Sequence, residues 1–228
     1  MSSARAGQAR MPARWTLGSG ANELLKWIAF LAMCVDHTNT VLFAREVPWM
    51  YEVGRVAMPI FALVFGYNLA GARDPRTTLL RLGVVGVCVH ILVIATVNQG
   101  HMLPLNILLT FAMAGALALA LDERRAGLAL ALLLLGTVFA DYSLPGIVLV
   151  LVSYGVTRHG WTPERAMLLL GAVVGLCWLN GNAWALVGVA LVGSAVLWPP
   201  IKLPRAPWLL LALYPAHLVV LAGLTEYL

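Results

Sequence analysis

Charge is what this chain has least of. Asp, Glu, Lys and Arg make up 11% of its 228 residues, while 61% are hydrophobic and the mean hydropathy is +0.86. A soluble domain carries roughly 25% charged residues, so a water-soluble globular domain is excluded. Alternating apolar and polar runs are also missing, which excludes a transmembrane barrel and leaves helices to satisfy the backbone in lipid. Cysteine is sparse. Cys34, Cys88 and Cys177 all fall in apolar stretches, at spacings that suit neither a disulfide framework nor a metal site. They read as free, small buried residues, and no metal is expected. Acids are absent from residues 1–21, where Arg5, Arg10 and Arg14 make a short basic tail expected to be mobile and cytoplasmic. No cleaved signal peptide is expected either. The apolar run after the tail is too long for a signal h-region and ends in no clear small-x-small site.

What the chain does have is a series of apolar segments, and residues 22–228 read as a single transmembrane helical domain. The first covers residues 23–44. Others lie near 54–71, 78–97, 104–121, 126–140, 145–157, 166–179, 183–198 and 207–226. The fold class is therefore all-α, a polytopic bundle of about nine spans, with eight or ten as the bounds. The segments 126–140 and 145–157 are short for a span and could form one broken hairpin. With nine spans, one set of helix ends carries Arg5, Arg10, Arg14, Lys26, Arg73, Arg76, Arg81, Arg124, Arg125, Arg158, Arg165, Lys202 and Arg205, and the other only Arg45 and Arg55. This thirteen-to-two split puts the N-terminus in the cytoplasm and the C-terminus outside. The net charge of +5 follows topology and does not imply nucleic-acid binding.

Ionisable groups in a bilayer cost several kcal/mol unless paired or wetted, which makes them functional candidates. The first span holds three: Lys26 near its start and Asp36-His37 past its middle. Eleven helical steps separate Lys26 from His37, which returns the chain to one face about 16 Å further along. Asp36, Asn39 and Thr40 form a second polar stripe beside it. Asp36 points about 100° away from His37, free to pair with Arg55 or His217. In the second span, Glu52 and Arg55 stand three apart and are expected to pair, and Pro59 is expected to kink the helix. Packing alone would explain Gly54, Gly66 and Gly71. Glu46, Glu52, Arg55, His101, Asn106, Asp141, Tyr142, Asn180, Asn182 and Glu226 fall at the outer ends, with Asp36, His37 and His217 between middle and outside. Together they suggest a polar cavity that opens outwards above His37.

Five stretches resemble one family in order along residues 22–225: KWIAFLAMCVDHTN, GRVAMPIFALVFGYNL, PLNILLTFAMAGALAL, ADYSLPGIVLVLVSYG and YPAHLVVL. The resemblance is to the TraX family of conjugal-transfer membrane proteins, whose trbP-like members are similar in length. It implies a bacterial inner-membrane protein that acetylates the N-terminus of a pilin subunit. Lys26 and His37 also match the basic-x10-His signature of membrane acyltransferase-3 families, which implies acetyl-CoA as donor. On that resemblance His37 is the general base and Asp36 its catalytic neighbour. Lys26, Arg55, Asn106, Asp141, Tyr142 and His217 are candidates for binding donor or substrate. The implied partners are acetyl-CoA, the pilin acceptor and the lipid bilayer. A proton-coupled transporter and a non-catalytic pilin-assembly factor remain as alternatives.

The charge split makes the orientation testable. A reporter fused after Arg125 should read cytoplasmic, and one fused after Leu228 should read periplasmic; both on one side would refute the nine-span count.

Overall fold

The structure, a computed structural model, describes residues 15–226. Arg5, Arg10 and Arg14 of the basic tail, and the C-terminal Leu228, lie outside the described residues. Within the described residues ten helical segments run in order: α1 (Ser19–Leu42), α2 (Pro48–Gly54), α3 (Ala57–Ala70), α4 (Pro75–Ala95), α5 (Ile107–Asp122), α6 (Ala126–Phe139), α7 (Ser143–His159), α8 (Pro163–Asn180), α9 (Trp184–Ala195) and α10 (Pro207–Leu224). Among the described residues there is no strand, only an isolated bridge between Leu105 and Ala140.

Local chemistry sets many of the boundaries. The Asp74 carboxylate accepts the Thr77 N–H at 3.0 Å and Pro75 opens α4. Asn106 caps α5 and Thr162 caps α8 in the same way. Gly181, in the left-handed region at φ 67°, ends α8. Only Arg55 and Val56 separate α2 from α3, so the ten segments make nine rods among the described residues. The expected kink at Pro59 is a break at Arg55–Val56 instead. Pro59 falls in the first turn of α3, where an N–H has no helical partner to lose. Residues 126–140 and 145–157 resolve into two separate helices, α6 and α7. The segment Trp15–Ala21, expected as part of a mobile tail, packs into the fold. Leu17 and Ala21 are buried, and the Trp15 indole N–H donates to Thr157 Oγ1 at 2.8 Å.

α3 is the central rod, packed on α1, α5, α7 and α9. It lies against α7 without a side chain between them. A Cβ on Gly66 would meet the Val150 carbonyl oxygen at 2.5 Å, and the Ser153 hydroxyl donates to the Leu63 carbonyl at the same crossing. Such contacts between small residues are how helices associate in lipid, where an apolar side chain gains nothing by turning inward. The outside of the bundle is correspondingly oily: Leu80, Val87 and Ile91 on α4 and Met167, Leu170 and Trp178 on α8 are all exposed. A continuous apolar exterior of this kind is the surface of a membrane protein. Pro48–Ala70 and Pro75–Ala95 are long and apolar enough to cross a bilayer, while α5, α6, α9 and α10 are shorter apolar rods.

Polar cross-links sort the rod ends into two sets. At one end Ser19 meets Arg205, Asn22 meets Asn68, and Arg76 meets Glu123. Asp122 there gathers Tyr154, Arg158 and His159. At the other end Asn39 meets Val47, Tyr51 meets Asn180, and Thr110 meets Asp141. Arg73, Arg81, Arg124, Arg125 and Arg165 belong by chain position to the first end, the basic one.

The α3–α7 crossing gives a stability prediction. Gly66→Ala should destabilise the protein by about 1–3 kcal/mol through overpacking. Gly171→Ala, on a face of α8 with no neighbour within 4 Å, should be neutral or stabilising by up to about 1 kcal/mol. Thermal unfolding in detergent measures both.

Candidate functional site

Two features meet in the interior, a cavity and an ionisable cluster. The cavity, about 910 Å³, runs between α1, α3, α4, α5 and α10. Lys26, Arg81 and Arg205 stand at its mouth with Asn22, Asn68 and Thr78. Aromatic and aliphatic side chains line its depth, including Phe30, Met33, Phe61, Phe65 and Tyr214. Its mouth is at the basic end of the bundle. The sequence suggests a polar cavity opening at the other end, whereas this one opens at the basic end, and several polar side chains of the outer end bond to nearby backbone. Asn39 exchanges two hydrogen bonds with the Val47 backbone, and the Tyr51 hydroxyl donates to the Asn180 carbonyl at 3.0 Å.

Lys26 does not stand alone at the mouth. It forms an ion pair with Glu23, whose carboxylate also accepts the Ala206 N–H at 3.2 Å and is almost wholly buried. The i, i+3 spacing in ELLK was the available signal for this pair. Arg81 and Arg205 are exposed and more freely placed to meet an anion, and Arg81 lies over the Trp208 ring, 5.8 Å from its centre. Sequence reasoning put both arginines on the basic rim without singling them out. Their approach to Lys26 from α4 and the α10 leader has no sequence signal.

His37 and His217 come together across 180 residues. Nδ1 of His37 and Nε2 of His217 are 2.8 Å apart, and the rings lie nearly parallel with centres 5.1 Å apart. His217 Nδ1 sits 3.2 Å from the Leu213 carbonyl oxygen, one turn back on α10. Pro215 loosens that turn by removing an N–H from the helix ladder. Phe30 and Tyr214, both in the cavity wall, contact the His217 ring at centroid distances of 5.8 and 5.6 Å. The inner cavity wall is thus one aromatic layer from the histidine pair. Tyr214 was missed in sequence, although it precedes His217 by three residues in YPAH and so shares its face.

Asp36, next along α1, pairs with Arg55 at 2.5 Å, with 17% and 13% of the two side chains exposed. The expected Glu52–Arg55 pair does not form: Arg55 reaches across to α1 instead. Its guanidinium also lies 4.3 Å from the Tyr51 ring centre and 5.7 Å from that of Tyr142. Gly54 makes the approach possible, since a Cβ there would stand 2.4 Å from the Asp36 Cβ.

Asp141 and Tyr142 occupy the turn between α6 and α7. Tyr142 and Ser143 take left-handed φ values of 57° and 47°, a strained choice for residues with side chains. Hydrogen bonds hold the turn: Asp141 N–H donates to Thr110 Oγ1, Tyr142 N–H to Asp141 Oδ1 and Ser143 Oγ to the Thr137 carbonyl. Loss of water around Asp141 pushes its carboxyl up to about 6, while the Arg55 guanidinium pulls the other way. Asn106 is elsewhere engaged. Its amide donates to the Gly86 carbonyl at 2.7 Å and accepts the Leu109 N–H at 3.1 Å, so it is a buried helix cap tying α5 to α4. The structure therefore joins His37, His217, Asp36 and Arg55 along α1, sets Tyr142 beside Arg55, and keeps Lys26 and Asn106 apart from that cluster. Among the described residues no group of three or more His, Cys, Asp or Glu side chains could hold a metal.

A family described as TraX protein matches residues 21–225. The chain is 32% identical over 188 residues to Protein TraX of Escherichia coli, covering 75% of this chain and 72% of that one. It is also 41% identical over 51 residues to Protein TraX of Escherichia coli strain K12, 22% of this chain and 20% of that one. An uncharacterised protein of Rickettsia prowazekii is 38% identical over 63 residues, 28% of this chain and 24% of that one. No solved structure matches.

The Asp36–Arg55 pair gives a further prediction. Asp36→Asn or Arg55→Met alone leaves a poorly hydrated charge unpaired and should cost about 3 kcal/mol or more. The double variant should cost clearly less than the sum of the two. A double-mutant cycle on unfolding in detergent reads the coupling.

Proposed function

The chain belongs to the TraX family, and from that premise we propose that it is a multi-pass inner-membrane acetyltransferase that transfers an acetyl group from acetyl-CoA to the N-terminal amine of a conjugative pilin subunit. One observation carries the reading: a large cavity with a cationic mouth whose inner wall adjoins a histidine pair.

The residues fit the donor. At about 910 Å³ the cavity is within the range of small-molecule sites, roughly 300–1,000 Å³. Its mouth offers Arg81, Arg205 and Lys26 to the phosphates, and its apolar depth suits the uncharged arm of the donor. With the basic ends cytoplasmic, this mouth faces the compartment that contains acetyl-CoA. The substrate supplies an acetyl thioester. His37 removes the proton that the acceptor amine releases as its nitrogen bonds to the acetyl carbon and the carbon–sulfur bond breaks. It returns that proton to the departing thiolate. A histidine suits both halves, since its ordinary pKa lies near neutrality.

The other residues support this step. Asp36 holds Arg55 against α1 and so fixes the turn of helix that carries His37. Arg55, beside Tyr51 and Tyr142, keeps a positive charge where a tetrahedral oxyanion would develop. Asp141, with its raised carboxyl pKa, provides a proton-exchanging group near the acceptor's side of the bundle. Lys26 acts at the donor end together with Glu23.

The two ends should fail differently in an assay that follows thiol release from acetyl-CoA and the mass of the pilin N-terminus. Arg81→Gln and Arg205→Gln should raise KM for acetyl-CoA in a salt-dependent way and leave most of kcat. They are cleaner probes than Lys26→Ala, which also strips Glu23 of its partner. His37→Ala should lower kcat about 10²–10⁴-fold while donor binding persists. Wild-type turnover by membrane-inserted His37→Ala protein would refute the reading, and pH-dependent solute flux without thioester cleavage would favour a transporter.

A further inference from the structure

We infer that His217 is a positioning residue that locks His37 into the tautomer with a bare Nε2, and that it shares the proton charge His37 acquires. The inference deepens the acetyltransferase reading and rests on it for the catalytic role, but the tautomer assignment stands on the hydrogen bonds alone.

A carbonyl oxygen can only accept. The 3.2 Å contact between His217 Nδ1 and the Leu213 carbonyl therefore requires the hydrogen to be on Nδ1. In a neutral imidazole the other nitrogen then carries a lone pair, so His217 Nε2 is an acceptor. The 2.8 Å contact with His37 Nδ1 can hold only one hydrogen, which must come from His37. His37 thus spends its single proton on Nδ1, and its Nε2 is bare. That nitrogen makes no hydrogen bond among the described residues, and it is not an orphaned buried atom. A free imidazole can hold its proton on either nitrogen. Here a backbone carbonyl decides the matter through two rings.

The geometry keeps the arrangement in place. Phe30 meets the His217 ring edge-on at 83°, Tyr214 packs against it at 48°, and the two imidazoles lie within 13° of parallel. When His37 Nε2 takes a proton from the acceptor amine, the pair gains one positive charge. The bridging proton can then pass from His37 Nδ1 to His217 Nε2 with the rings in place. His217 becomes a donor at both nitrogens, to His37 and to Leu213, and the reverse shift restores it once His37 Nε2 protonates the thiolate. The arrangement gives His37 the orienting partner that a carboxylate supplies in a Ser-His-Asp triad. Asp36 is not free for that task because Arg55 holds it.

The test uses the full chain in lipid nanodiscs with ¹⁵N-labelled histidine, assigned through single His→Gln variants. At a pH where the pair is neutral, nitrogen spectra should show both His37 and His217 protonated at Nδ1 and unprotonated at Nε2. His217→Phe, which keeps a ring in the space, should release His37 to the Nε2–H form and lower kcat by about 10²-fold or more, with KM for acetyl-CoA unchanged. His217→Gln offers an amide oxygen to His37 Nδ1–H, so it should restore the wild-type His37 signals and most of the rate. A wild-type His37 protonated at Nε2, or one whose tautomer is unmoved by His217→Phe, would overturn the inference. Expected nitrogen signals in a protein that never cleaves the thioester would overturn the acetyltransferase reading and uphold the tautomer assignment.

Discussion

The Asp36–Arg55 ion pair holds the centre of this molecule in register. α1 carries the acid beside His37, and the arginine stands in the two-residue gap where the second rod breaks into α2 and α3. At 2.5 Å, with little of either side chain exposed, each charge depends on the other, because water is scarce at that depth. Several other features follow from the pair. Gly54 has no side chain because Asp36 fills the space where one would be. Arg55 closes the α2 ladder with its N–H on the Tyr51 carbonyl, and from there its side chain turns towards α1. Held in this way, α1 presents His37 to α10 at a fixed height and rotation.

From that anchor the interior divides into a wet, basic end and a dry, aromatic middle. Cations at the mouth and aromatics beneath them suit a ligand with a charged head and a neutral arm. The histidine pair lies just beyond the aromatic layer. On the proposed function such an order suits a membrane: the cations offered to phosphate stay where water reaches them, and the proposed base sits where competing hydrolysis is suppressed. The strained Tyr142–Ser143 turn lies beside the ion pair and is held by three side-chain hydrogen bonds. Non-glycine residues keep such a conformation only where their surroundings impose it.

Several elements were legible in advance. The apolar segments placed the rods close to where they lie, because hydropathy is a local property of the chain. The alternation of basic and non-basic ends anticipated the way the rods interleave. Asp36, His37, Arg55 and His217 stood out because each is costly in an apolar span. Asn106, marked by its place at an outer end and by the family resemblance, is a buried helix cap. Polarity in a membrane helix marks a group that must be satisfied, whether by chemistry or by a carbonyl.

The sequence by itself determined that this is an all-α membrane protein, roughly where its apolar rods lie, and which few ionisable groups it must accommodate, since hydropathy is a local property of the chain. Tertiary structure alone decided the partners: Arg55 with Asp36 and not Glu52, His37 with a histidine 180 residues away, and Arg81 and Arg205 across a cavity mouth from the Lys26–Glu23 pair. The reason is physical. Rods such as α3, α5 and α10 are apolar on every side, so no hydrophobic stripe tells which face turns inward. In lipid that choice is made by close contact between small residues and by the pairing of polar groups, and both exist only once the helices are together.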